Sequence, residues 1–377
     1  LIYFDNAATT AVCDEAAQAA LRMMTKCYGN PSSGHAPGRE AARQLKSARE
    51  TVAKALGAAK SEEVVFTSCG SESDNWAILC GAEKMRHRGR HIISSEVEHD
   101  AVRKSLDRLE AGGWEITRLH PEKDGSISAE AVRAALRPDT VLVSLMAVNN
   151  ETGAITDIAG IAKMLKAEKS PALLHTDAVQ AFMKIPFSAK TLGADMISVS
   201  GHKIHAPKGV GALYVRSGLT LPPLINGGGQ EDGRRSGTEA MPQICAFAQA
   251  AEAARRAMPS ALESMAAIRE YIVHRVTQSI PGCLAIGGGA AHILCLSLPG
   301  YRSEVIMNLL DSRGICVSRG SACKKGKRSH VLTAMGLDSR VIDGSIRVSF
   351  SRYNTMEEAE TFCTELESAA RQLFTSL

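Results

Sequence analysis

The residues best suited to chemistry collect just after short apolar runs. Thr67-Ser68-Cys69-Gly70-Ser71-Glu72-Ser73-Asp74-Asn75 leads straight into a helical pattern. A helix N-terminus with free N–H groups, joined by the Ser71 hydroxyl, can hold a phosphate. Glu98-His99-Asp100, Asn149-Asn150-Glu151, Asp177-Ala178-Val179-Gln180 and Gly201-His202-Lys203 follow four further runs. Singly, such a histidine is ordinary packing and such an aspartate an ordinary helix cap. Together they carry more weight, because open α/β sheets bind ligands outside the carboxyl ends of their strands.

A phosphate cradle, a carboxylate, a flat imidazole and a lysine in one cleft suit pyridoxal 5'-phosphate. Its aldehyde condenses with a lysine amine, its ring nitrogen needs an acidic partner and its phosphate a helix N-terminus. Asp177 is the candidate for the ring nitrogen, since a buried carboxylate keeps that nitrogen protonated. Lys203 is the candidate amine, because partial desolvation lowers a lysine pKa toward its reactive form. Lys208 is the rival, but Pro207 and Gly209 beside it predict a loop directed to water.

The elements that must position these groups are legible as an α/β alternation between about residues 60 and 216. Strands are expected at Glu63–Ser68, His91–Val97, Thr140–Val148, Ala172–Thr176, Met196–Ser200 and Val210–Val215. Ala41, Ala42, Leu45, Ala48, Val52, Ala55 and Leu56 repeat at helical spacing and stop at Gly57, a suitable residue after a helix end. Near Met258-Pro259 the pattern changes, and Ser260-Ala-Leu-Glu263 reads as a capping box opening a new helix with Leu262, Met265, Ile268, Ile272 and Val276 buried. Strands at His292–Leu298 and Ser345–Phe350 follow, then a helix capped by Thr355-Met-Glu-Glu358 with Phe362, Leu366, Ala370 and Leu373 on one face. The expected organisation is a large domain over 12–258, with 1–11 and 259–377 forming a smaller α+β domain.

Composition sets the class. With 377 residues, 45% hydrophobic and 22% charged, the chain can build a core without staples. Its net charge of +4 is too balanced for a nucleic-acid stripe, so no direct nucleic-acid binding is expected. The ten cysteines include no C-x-x-C pair, which argues against a cysteine metal site. With no leader-like opening and no apolar run of about 18 residues, the expectation is a cytoplasmic protein with reduced thiols and no membrane span.

Three long runs, in order along the chain, resemble the cysteine desulfurases, fold type I pyridoxal-phosphate-dependent transferases that take sulfur from L-cysteine. They are Tyr3-Phe-Asp-Asn6-Ala-Ala-Thr9-Thr10; Ser198-Val-Ser200-Gly-His202-Lys203 with Pro207-Lys-Gly209-Val-Gly211; and Gly227-Gly-Gly-Gln230-Glu continuing to Arg235-Ser-Gly237-Thr238. The resemblance implies a large domain with a mostly parallel sheet flanked by helices, plus a smaller α+β domain. It implies that Lys203 holds the cofactor, Asp177 pairs with the ring nitrogen, Gln180 bonds the phenolic oxygen and His99 stacks on the ring and moves protons. Gly70, Ser71, Ser200 and His202 would hold the phosphate, joined by Thr238 from the other subunit of a homodimer. Arg347 would grip the substrate carboxylate, aided by Asn30 and by Asn150, which also borders the cofactor.

Arg319-Gly-Ser-Ala-Cys323 is similar to the family's catalytic-cysteine loop, so Cys323 would take the sulfur as a persulfide and pass it to an acceptor protein, an iron–sulfur scaffold or a tRNA-thiolation relay. Lys324 and Lys325 favour its thiolate. Cys323-Lys-Lys-Gly-Lys-Arg-Ser-His330-Val-Leu departs from the long-loop group of the family in being tighter and more basic, and Cys69-Gly70-Ser71 stands where that pattern has Gly-Ala-Thr. Selenocysteine lyase and other pyridoxal-phosphate lyase or aminotransferase reactions remain alternatives, although an aminotransferase needs no thiol. A non-enzymatic scaffold binding an acidic partner through the basic loop is the alternative outside catalysis.

Overall fold

Runs rich in valine and isoleucine form strands because branched side chains pack well on a pleated surface. The computed structural model describes residues 1–319 and 328–373. In chain order its strands are β1 (Ile2–Tyr3), β2 (Val64–Thr67), β3 (His91–Ser95), β4 (Glu115–Leu119), β5 (Thr140–Met146), β6 (Leu173–Asp177), β7 (Met196–Ser200), β8 (Gly211–Val215), β9 (Leu284–Ile286), β10 (Ile293–Ser297), β11 (Ile315–Cys316) and β12 (Ser345–Ser349). Seven of them make one sheet in the order β2-β8-β7-β6-β5-β3-β4. Strand β8 runs antiparallel to both its neighbours, and the pairs from β7 to β4 are parallel. The carboxyl ends of β2, β3, β5, β6 and β7 therefore open on one edge, where the polar residues follow.

All six strands expected in this region are present, with ends that coincide or are displaced by at most two residues. The strand not foreseen is β4. It lies at the sheet edge with its residues exposed or half-buried, so Glu115 and Arg118 are tolerated and the apolar signal is thin.

Strands β9, β10 and β12 form an antiparallel sheet in the order β12-β10-β9, and β1 pairs in parallel with β11. A second core gathers on this sheet, built from Leu294, Leu296, Ile346 and Val348 with Phe350, Phe362 and Leu366, and it takes in Phe4 from the start of the chain. Phe4 meets Phe350 and Phe362 edge to face, with centroids 5.2 and 5.7 Å away. The helix Met356–Gln372 begins at Thr355 with the capping box read from the sequence. The helix Ala36–Leu56 ends at Gly57 in the left-handed conformation, φ 63°.

One expectation is corrected. No new helix starts at Ser260: a single helix runs from Met241 to Ser279 with Pro259 inside it. Ser260 does not cap; its hydroxyl donates to the Ala257 carbonyl at 3.1 Å. Proline removes one helical hydrogen bond, but both flanking halves are buried and held. Ile244, Phe247 and Ala251 enter the core of the large sheet, and Met265, Ile268, Ile272 and Val276 enter the second core. Packing on both sides outweighs the local break. Among the described residues no helix is long and apolar enough to cross a membrane.

Candidate active site

A cavity of about 370 Å³ opens at the carboxyl edge of the large sheet, lined by Gly70, Ser71, Asp74, His99, Asn150, Asp177, Gln180, Ser200, His202, Lys203 and Arg347 among others. Ten of the thirteen residues proposed from the sequence line it, and they come from segments spread over nearly 280 positions. Lys203 ends the short turn that follows β7, and its Nζ donates to the carbonyls of Ala7 at 2.6 Å and Ala8 at 2.7 Å. Burial, reinforced by the Arg347 guanidinium, pushes its pKa down to about 7. Lys208, the rival, is exposed.

Asp177 ends β6, is buried, and accepts from the Val179 N–H at 2.9 Å. Burial raises its pKa, while His99 and Lys203 oppose that shift and favour its charged form. The wall behind it was not read from the sequence. His175 lies between the hydroxyls of Ser144 at 2.8 Å and Ser198 at 2.9 Å, and burial pushes it down to about 3, so the ring is neutral. Asp74 is buried, its Oδ1 lacks a hydrogen-bond partner, and desolvation followed by the Asp177 charge raises its pKa well above the usual range. Burial likewise pushes Glu98 up to about 8. Two neighbouring buried carboxyls do not both ionise readily. Asp177, the one facing Lys203 and His99, keeps the charge.

His99 caps the helix Asp100–Ala111, its Nδ1 accepting from the Ala101 N–H at 3.2 Å, which leaves Nε2 as the donor of the neutral ring. Gln180 Nε2 donates to the Ala7 carbonyl at 2.8 Å, beside Lys203. Gly70 opens the helix Gly70–Asn75. A Cβ there would stand 2.7 Å from Val179 Cγ2 and 3.3 Å from Ser200 Cβ, so only glycine keeps this floor open. The Ser200 hydroxyl is buried with no partner, and His202 Nδ1 lies 3.2 Å from the Thr9 hydroxyl. Burial, then Lys203, pushes His202 down to about 4.

On the opposite wall Arg347 is buried in β12. Its Nη1 donates to the Asn150 carbonyl at 2.8 Å, and its Nη2 to Asp5 Oδ1 and the Ser318 hydroxyl, both at 2.9 Å. Asp5 and Ser318 were given no role from the sequence. Asp5 stands inside the Tyr3–Thr10 run, so its place in a recognisable motif was the available signal. Asn30 and Thr238 are placed elsewhere: both are exposed and neither lines the cleft. Asn30 instead accepts from the Ser32 N–H at 2.8 Å.

Cys323 lies outside the described residues, as do Lys324 and Lys325. The residues flanking that stretch reach the cleft. Ser318 pairs by backbone with Arg347, Ser329 donates its hydroxyl to buried Glu151, and His330 Nε2 lies 3.0 Å from the Glu98 carbonyl. Of the nine other cysteines six are buried, and burial raises the thiol to about 11 for Cys80, Cys245 and Cys283 and to about 12 for Cys295 and Cys363. Such thiols are unreactive at neutral pH. Among the described residues no His/Cys/Asp/Glu cluster could hold a metal ion.

Comparison with known proteins gives one consistent answer. The model of the class-V aminotransferase family matches residues 2–362. The cysteine desulfurase of Trichormus azollae is 42% identical over 360 residues, 94% of this chain and 89% of its own length. The cysteine desulfurase IscS of Methanosarcina thermophila is 40% identical over 95% of this chain and 89% of its own. A solved NifS-like protein superposes with a TM-score of 0.93 at 38% identity, over 99% of this chain and all of that one. DndA from Streptomyces lividans superposes at 0.78 with 37% identity, over 91% and 98%.

Proposed function

The chain belongs to the class-V aminotransferase family and, within it, to the cysteine desulfurases, and from that premise we infer how its cleft divides the work. It is a pyridoxal-phosphate enzyme that takes sulfur from L-cysteine and releases L-alanine. The residues fit the cofactor: a buried Ser200 hydroxyl and an Asp74 oxygen lack partners, Gly70 keeps the floor open, and a lysine of lowered pKa faces a buried aspartate. Gly70, Ser71, Ser200 and His202 would hold its phosphate, Asp177 its ring nitrogen, Gln180 and Asn150 its ring edge, and Lys203 its aldehyde. When bound, pyridoxal phosphate supplies a carbonyl that condenses with amines and a ring that withdraws electrons from the substrate Cα.

The chain's own groups do the rest. With its pKa near 7, Lys203 has a large neutral fraction at neutral pH, so Nζ can both attack a carbonyl and carry a proton. His99, open to the cleft and fixed at Nδ1, presents Nε2 for proton transfer. Arg347 offers its guanidinium fork to the substrate carboxylate, a geometry that ammonium groups do not provide. Asp5 and Ser318 hold that fork in place.

Cys323 is the nucleophile in this reading. Its thiolate sulfur bonds to the substrate sulfur while the Cβ–S bond breaks, the electron pair passing to the carbon skeleton, which takes up protons and leaves as alanine. The persulfide then passes to an acceptor protein, an iron–sulfur scaffold or a tRNA-thiolation relay, in a cytoplasmic setting. Residues 12–258 would form the cofactor domain, and 1–11 with 259–377 the domain that brings Arg347 and Cys323. Thr238 and Asn30, exposed in one chain, fit a homodimer in which each subunit completes the other's site.

The observation that carries the reading is Lys203 and Asp177 sharing a cleft with Arg347. Its test is Cys323→Ser in purified yellow protein, assaying alanine and protein persulfide after adding L-cysteine. The chromophore should persist and persulfide disappear; undiminished alanine formation would overturn the role of Cys323, and a colourless wild-type protein the cofactor assignment.

A further inference from the structure

A second cavity of about 20 Å³ is lined by Met183, Lys184, His205, Met265 and Arg352 among others. That volume admits one water-sized species. Lys184 is 5% exposed, and among the described residues its Nζ makes no hydrogen bond or ion pair. A buried ammonium without a partner is strongly unfavourable.

The groups facing it make matters worse. The charge felt by Lys184 is that of Arg352, whose Nη2 donates to the Tyr353 hydroxyl at 2.9 Å and whose guanidinium lies over that ring. His205 hydrogen-bonds the Ala11 carbonyl through Nδ1, and the buried His292 ring faces the Gln180 backbone. Both histidines are held neutral by burial and by Lys184. The carboxylate nearest in effect, Glu15, acts on Arg352 from the exposed surface. Two cations therefore line a small space whose described lining holds no carboxylate. Met183 and His205, which flank that space, both adopt left-handed backbone, φ 57° and 69°, a conformation that surrounding structure must impose.

We propose that the cavity between Lys184 and Arg352 binds one small monovalent inorganic anion, for which chloride is the natural probe. The anion supplies the missing counter-charge, and its position gives it mechanical meaning. Lys184 lies four residues beyond Gln180, His205 two beyond Lys203 and Arg352 five beyond Arg347. One ion thus ties the two cofactor-side segments to the turn that follows the strand of the substrate arginine, without touching the reaction itself. The proposal does not depend on the cofactor assignment.

Crystals of the wild-type protein grown in sodium bromide test it directly, with an anomalous peak expected between Lys184 Nζ and the Arg352 guanidinium. In parallel, the thermal midpoint should rise by about 2 °C or more when gluconate is replaced by chloride at equal ionic strength. Lys184→Met and Arg352→Gln should each abolish that rise. A cavity holding water alone, with no bromide peak, overturns the proposal, as does a wild-type midpoint indifferent to chloride. A chloride response undiminished in both variants overturns it too. The bromide experiment needs no variant, so a substitution that fails to fold leaves the test intact.

Discussion

Lys203, half-buried, and Lys184, buried, both have their pKa lowered by desolvation, to about 7 and about 8. Their surroundings differ. Lys203 donates to two carbonyls, those of Ala7 and Ala8, and has the carboxylates of Asp177 and Asp5 acting on it. Lys184 has Arg352 and an empty polar inventory. The comparison separates two meanings of a depressed lysine pKa. At Lys203 the amine is lowered yet oriented, ready to react; at Lys184 it is lowered because its counter-charge has to come from solution.

The largest effect that tests the contrast is Lys203→Ala. It should lower the rate of alanine formation by about 10³-fold or more, since an oriented acid–base group is lost, while Lys184→Met should leave turnover within about threefold. Equal losses in steady-state assays would erase the distinction. Next is Arg347→Ala, which removes two charge-assisted hydrogen bonds to the substrate and leaves Asp5 unpaired. About 100-fold in kcat/KM for L-cysteine is expected, with Asp5→Asn giving a smaller fall because the guanidinium keeps Ser318 and the Asn150 carbonyl.

The pH dependence of stability sharpens the comparison further. A lysine whose folded pKa lies below its unfolded value binds fewer protons when folded, so stability rises with pH between the two. For Lys184 that window runs from about 8 to 10.5, and below it the full cost of the buried charge is present. Denaturation in gluconate should therefore show stability climbing from pH 8 to 10.5, a slope that Lys184→Met reduces and saturating chloride flattens. Lys203 contributes a similar rise from about 7, so the difference between variants is the informative quantity. The smallest effect is Lys208→Ala: this lysine is exposed, and stability should change by about 0.5 kcal/mol at most.

Much of the cofactor wall was legible because β-branched runs end abruptly in polar residues. Asp177, Lys203 and His99 stand at or a few residues beyond strand ends, where period-2 patterning gives way to caps and turns. Arg347 was different. Inside a strand it reads as an ordinary exposed residue, and only likeness to a known motif singled it out. What joins it to Asp5, and Lys203 to Ala7, is contact across 342 and 196 positions, and local periodicity carries no record of such pairings. Strand β4 escaped because an edge strand needs few apolar residues. The helix through Pro259 escaped for the opposite reason, since a strong local stop signal was overruled by burial on both of its sides. Lys184 drew no notice at all, because a lysine after Phe182-Met183 looks like any surface residue until the fold encloses it.

The stretch from Phe4 to Thr10 has a consequence for how the molecule comes into being. Asn6 donates to the Ser349 carbonyl and to Asn354, the Ala7 N–H donates to the Ser349 hydroxyl, and Thr10 is bonded to the His202 carbonyl. On a ribosome these residues emerge long before their partners, at roughly 5 to 20 residues per second. Thr10 must wait for its partner 192 positions on, and Asn6 and Ala7 for theirs 343 and 342 positions on. Ring closure over such a span is entropically slow. The floor beneath Lys203 is thus translated well before the residues that complete it and is among the last parts assembled, so a nascent chain carries most of its sheet before it has a complete cleft.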